Sequence, residues 1–134
     1  METKTSEKTK DKWRTLTNRL VSSSRSGDIL WKSTAEEACF VTSISGKTIV
    51  FARSSQTDNF PYKYVIFIND SAGKLVDSFD DEDLDRDHFV SGASYFKILD
   101  DFMDELIRKE SGADEVLDEL LLTLGPTANE ASDF

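Results

Sequence analysis

At 134 residues the chain has the size of one domain, long enough to bury a core without disulfides or a structural metal. A hydrophobic content of 38%, with nine Phe, three Tyr and two Trp, is too rich for a disordered chain even though 31% of its residues are charged. The formal charge of -10 disfavours direct binding to nucleic acid or to anionic lipid, because phosphate recognition needs Lys and Arg to displace condensed counterions.

That charge is unevenly spread. Residues 1–30 carry seven Lys or Arg against four Asp or Glu, residues 31–70 carry four of each, and residues 71–134 carry five against eighteen. No repeat or long linker divides the chain, so one domain over 1–134 is expected, with 1–9 and 127–134 as flexible polar ends.

From about Lys10 to Ser23, Trp13, Leu16, Leu20 and Val21 recur at helical steps, and Ser22–Ser24 with Gly27 end the run. Ile29–Lys32 reads as an edge strand. Phe40, Thr42 and Ile44 then alternate with Cys39, Val41 and Ser43, and Ile49 and Phe51 with Thr48, Val50 and Ala52; Ser45-Gly46 between them predicts a tight hairpin. Tyr62–Ile68 is β-branched and aromatic on both faces, as a central strand requires, and Asn69–Gly73 turns it into a shorter strand over Lys74–Phe79. Short connections without intervening helices imply an antiparallel meander.

Two helices are expected to close the chain. Tyr95, Ile98, Leu99, Phe102, Leu106 and Ile107 form a helical stripe, backed by opposite-charge pairs Lys97/Asp101, Asp104/Arg108 and Glu105/Lys109. Ser111-Gly112 breaks that helix and Asp114 is the candidate N-cap of a second one. It carries Val116, Leu117, Leu120, Leu121, Leu122 and Leu124 and stops at Gly125-Pro126. The expected fold is α+β: an N-terminal helix, an antiparallel meander of four or five strands, and two C-terminal helices packed on one face.

Motif tests are mostly negative. Asp77–Asp87 reads DSFDDEDLDRD, but a calcium loop starting at Asp81 meets Arg86 and Gly92 where glycine and glutamate are needed, and one starting at Asp83 meets His88 and Ser94. The run therefore reads first as a solvated acidic loop. His88 is the only histidine and Cys39 the only cysteine, too few for a zinc site. No nucleophile elbow accompanies His88, which reads as a helix-entry residue beside carboxylates. Cys39, within Ala38–Val41, reads as a small buried residue. Ser45–Thr48 ends like a phosphate-binding loop but lacks the first glycine and a following helix. No catalytic residue, metal ligand or cofactor is expected.

What remains is surface chemistry. The sequence is read as a non-enzymatic acidic interaction module of the adaptor, immunity or inhibitor type, whose acidic C-terminal half meets a protein partner with a basic surface. Asp80, Asp81, Asp83, Asp85, Asp100, Asp101, Asp104 and Glu105 are the expected contact carboxylates, and Leu121 and Leu122 the expected apolar contacts. A sharper variant has these carboxylates imitate phosphate spacing as a nucleic-acid mimic. The competing class is a small metal-assisted enzyme using the carboxylates of 77–87. A third reading is a small-molecule pocket lined by Tyr62, Tyr64 and Phe67. The longest uncharged apolar stretch, Tyr64–Ile68, is far short of the roughly 20 residues of a membrane span. No signal peptide is evident in Met1–Lys12. With the lone cysteine, this points to a cytoplasmic protein without membrane contact.

A small acidic α/β chain with a leucine-rich final helix also resembles the dimeric secretion chaperones that hold export substrates of bacterial pathogens. The likeness is one of size, charge and helix chemistry, and it implies a homodimer. It departs in topology: that family interrupts its strands with a helix, whereas here only the short polar segment Ser54–Pro61 separates two strands.

Overall fold

The computed structural model describes residues 6–55, 62–85 and 94–126. Helix α1 spans Glu7–Arg25 and is followed by strands β1 (Lys32–Ser33), β2 (Cys39–Ile44), β3 (Lys47–Ser55), β4 (Tyr62–Asn69) and β5 (Leu75–Asp80). Among the described residues, helices α2 (Asp81–Leu84), α3 (Tyr95–Ser111) and α4 (Ala113–Leu124) follow. The five strands pair in sequence order, every pair antiparallel, so the expected α+β meander is present with all five strands.

The helix starts before the apolar spacing suggests. Ser6 is its N-cap, accepting from the Thr9 N–H at 3.2 Å, and Glu7 sits in the first turn, where a carboxylate favours the helix dipole. That polar turn carries no periodicity to read. The expected flexible N-terminal end is thus already capped and helical at residues 6–9, while 1–5 and 127–134 lie outside the described residues. The edge strand is shorter and later than Ile29–Lys32. The Ile29 N–H is held by the Ser23 carbonyl at the end of α1, and the Leu30 carbonyl accepts from the Thr42 hydroxyl, so only Lys32 and Ser33 join the ladder.

The hairpin between β2 and β3 turns at Ser45 and Gly46, both at positive φ (51° and 76°), the paired conformation a two-residue turn needs. Its register aligns Phe40, Phe51, Ile66 and Phe79 across four strands. These inward side chains meet Leu20 and Val21 of α1, Leu84 of α2, and Leu99, Phe102, Met103 and Leu106 of α3 in one core. Trp31 sits edge-on to Phe51 and Phe102, and Trp13 stacks on Phe79 with ring centroids 5.0 Å apart. Each indole N–H finds an acceptor, Trp13 on Asp77 and Trp31 on Ser24.

Strand parity separates the two faces. Tyr62 and Tyr64 point inward and Phe67 outward, so the three cannot line one pocket, which corrects that expectation. The outward face carries Val41, Val50, Val65 and Phe67, all half-buried. Cys39 is buried, as expected, but on this outward side of the strand and outside the main core. Among the described residues, no helix is long and apolar enough to cross a membrane.

Of the two closing helices, α3 supplies the packing on the sheet, and α4 adds no buried residue. That difference positions the candidate site.

Candidate functional site

The acidic run is built into the frame of the molecule. Asp80 and Asp83 form a reciprocal capping box at the start of α2, with the Asp83 N–H on Asp80 at 2.9 Å and the Asp80 N–H on Asp83 at 3.0 Å. Asp80 also pairs with Lys63 at 3.1 Å. Asp81 is 5% exposed and accepts the Tyr64 N–H at 2.8 Å, taking the place of a strand carbonyl where β5 has turned into α2. Asp85 accepts the Tyr95 N–H at 2.8 Å at the entry to α3. The expected solvated loop is therefore, over Asp77–Asp85, the end of a strand followed by one helical turn. His88 and the rest of 86–93 lie outside the described residues.

Burial raises the Asp81 carboxyl above its ordinary range, and the Tyr64 N–H only partly opposes that rise. Below the unfolded value near 4, folded and unfolded chains are both protonated, so the group contributes no pH dependence. As pH rises, the unfolded chain ionises first and the fold loses stability until the folded carboxyl has also ionised. Asp81→Asn, which keeps an oxygen for Tyr64, is thus expected to gain relative stability as pH rises above about 4. Asp81→Ala should instead cost about 1–3 kcal/mol by orphaning the buried N–H. Urea titrations of the three proteins at several pH values measure both effects.

On α3, the carboxylates divide into bound and free. Asp100 accepts the hydroxyls of Tyr64 and, at 3.3 Å, Tyr62, and burial followed by this bond pushes the Tyr64 hydroxyl well above the usual tyrosine range. Asp101 pairs with Lys97 at 2.9 Å, as the spacing predicts. Glu105 accepts from the Nε and Nη2 of Arg25, at 3.0 and 2.7 Å, in place of the expected Lys109. Arg108 turns from Asp104 to Asp114 at 2.7 Å, leaving Asp104 exposed to solvent. The structure therefore does not gather the eight predicted carboxylates into one free acidic face.

The apolar surface gathers on α4. Gly112 ends α3 in the left-handed conformation (φ 69°) and is also the N-cap of α4, so a single residue joins the two helices. Asp114 is not the cap; it lies in the first turn of α4 and ties that turn back to Arg108. At about 100° per residue, Ala113, Val116, Leu117, Leu120, Leu121 and Leu124 fill one arc of roughly 140°. Asp114, Glu115, Asp118, Glu119 and Thr123 fill the opposite arc, with Leu122 among them.

Such a stripe normally faces a core, yet Leu117 is 49% and Leu124 79% exposed, and Leu122 on the acidic arc is 85% exposed. Of the two predicted apolar contacts, Leu121 belongs to the stripe and Leu122 does not. Val116, Leu117 and Leu120 complete the stripe with Leu121, and their spacing alone would have assigned them.

Beside the root of α4 lies a groove of about 550 Å³ between the ends of α1 and α3 and the segment before β1. Ile29, Leu30, Trp31, Phe40, Phe102 and Leu106 line it as apolar residues, and Arg25, Arg108 and Lys109 line it together with Glu105, Glu110, Asp114 and Glu115. None of the α4 stripe residues lines it.

Among the described residues, no three of His, Cys, Asp and Glu converge as metal ligands. Compared with protein-family models, with curated proteins and with solved structures, the chain matches none of them.

Proposed function

We propose that this protein is a non-enzymatic interaction module of the adaptor, immunity or inhibitor type, and that α4 is its contact element. The observation behind this reading is a well-formed amphipathic helix that buries none of its own residues and leaves its apolar stripe from Val116 to Leu124 half exposed or more. A monomer rarely carries a contiguous apolar patch of this kind without using it. Apolar side chains supply affinity when buried in a partner. The carboxylates Asp104, Asp118 and Glu119 steer the encounter with a basic surface. The carboxylates of 80–85 and Asp100 belong to the frame, which moves the contact surface from the acidic run to the last helix.

Two variants test this by capture from native cytosol. Leu117→Gln/Leu120→Gln/Leu121→Gln should abolish capture of a specific partner while leaving the thermal unfolding midpoint unchanged, since none of the three side chains is buried. Asp104→Asn/Asp118→Asn/Glu119→Gln should slow association and flatten its salt dependence. Capture indifferent to both variants would move the contact surface off α4.

A further inference from the structure

We infer that the outward face of α1 is a second contact surface, opposite in sign to α4, and that it receives an acidic helix of a partner protein along a ridge formed by Lys8, Lys12 and Arg19. Helix α1 holds six Lys or Arg against two Asp or Glu, in a chain whose total is -10. The surface goes beyond the reading of α4 and does not depend on it.

Arg14 creates the ridge. It is 6% exposed and draws Asp11 to 2.6 Å and Glu7 to 3.5 Å, so both carboxylates of α1 are already matched by a buried cation on the inner side of the helix. At about 100° per residue, Lys8, Arg19 and Lys12 fall within about 40° of one another, with Thr15 beside them. All four side chains are exposed, and among the described residues none of the three cations has an ion-pair partner. Arg25, at the end of the same helix, is held by Glu105 and does not join them. A trough of about 430 Å³ follows this face, with the half-buried Leu16 as its apolar side and Asp11, held by Arg14, as its carboxylate.

Spacing selects the form of the partner. The cations stand at steps of four and seven residues, about 6 and 10 Å along the axis. A second helix laid along α1 repeats the same rise, so carboxylates at the same steps fall opposite all three. In an extended chain of about 3.3 Å per residue, those distances correspond to two and then three residues, and the third carboxylate turns to the other face. Total charge selects an acidic protein over nucleic acid, because a phosphate chain running past the ridge enters the field of a strongly acidic molecule. A ridge of about 16 Å engages three helical turns. A contact of that size belongs with transient encounters, where charge complementarity sets rate and orientation.

The probe is a fluorescent alanine-based helical peptide of roughly 18 residues, with glutamates at successive steps of four and seven, added to the full chain at low salt. Anisotropy should show binding that weakens with added salt. Lys8→Gln/Lys12→Gln/Arg19→Gln should weaken it on the order of 10-fold or more, and circular dichroism should show this variant folded, since all three side chains are exposed. A peptide of the same composition with its glutamates spread around the helix should bind less tightly. The Leu117→Gln/Leu120→Gln/Leu121→Gln variant should bind the first peptide as the wild type does, whatever becomes of its capture of a partner through α4. No binding, binding undiminished in the triple variant of α1, or equal binding of the two peptides overturns the proposal. Tighter binding of a single-stranded oligonucleotide of the same net charge overturns it in favour of nucleic acid.

Discussion

Phe51→Ala is expected to lower the stability of the fold by about 3–5 kcal/mol, the largest loss from any single truncation considered. Phe51 is 1% exposed and its ring is shared by three others: Phe102 stacked at 5.5 Å, Tyr64 at 5.7 Å and Trp31 edge-on at 6.3 Å. Removing it opens a void between the sheet and α3, and rings anchored by hydrogen bonds, Trp31 on Ser24 and Tyr64 on Asp100, cannot slide in to fill it. A domain of this size is stable by about 5–15 kcal/mol, so the variant should sit close to its unfolding threshold. Urea titration followed by far-ultraviolet circular dichroism measures it. Val50→Ala, one residue away on the open face, should cost at most about 1 kcal/mol. Equal losses at the two positions would show that the outer face of the sheet is covered in solution.

The second large effect concerns Arg14, a charged residue 6% exposed on the inner side of α1. Its Nε donates to the Leu84 carbonyl at 2.7 Å, and its Nη1 reaches Asp11 at 2.6 Å and Glu7 at 3.5 Å. The side chain thereby clamps α1 to the single turn of α2. Cutting a buried ion pair so as to strand a buried charge costs about 3–5 kcal/mol, but here the carboxylate partners are largely exposed and return to water. What Arg14→Ala strands is the Leu84 carbonyl and the volume of the side chain, so a loss of about 2–4 kcal/mol is expected. Arg14→Met fills that volume and should recover roughly half of the loss. Chemical unfolding of both variants separates the terms: a Met variant no better than Ala would assign the whole effect to the hydrogen bond with Leu84.

The sites were less legible than the fold for a definable reason. A carboxylate in the sequence looks the same whether it faces solvent or closes a main-chain hydrogen bond. Asp80, Asp81, Asp83 and Asp85 read as one acidic cluster, and pairing with Tyr64, with Tyr95 and with each other distributes them into a frame. Local spacing likewise offered Glu105 to Lys109 and Asp104 to Arg108. Arg25, brought from the far end of α1, and Asp114, brought across Gly112, took Glu105 and Arg108 instead.

By itself, the sequence determined the elements and their order, because alternation at Phe40–Ile44 and Ile49–Phe51, the turn residues Ser45-Gly46 and Asn69–Gly73, and the helical stripe Ile98–Ile107 are local signals that short-range sterics and burial enforce. It also wrote the amphipathic pattern of α4. Only the tertiary structure decided that this pattern is left unburied. Whether an apolar stripe meets a core depends on the direction in which its helix leaves the domain, and that direction is set by the left-handed Gly112 and the long-range packing of α3 on the sheet.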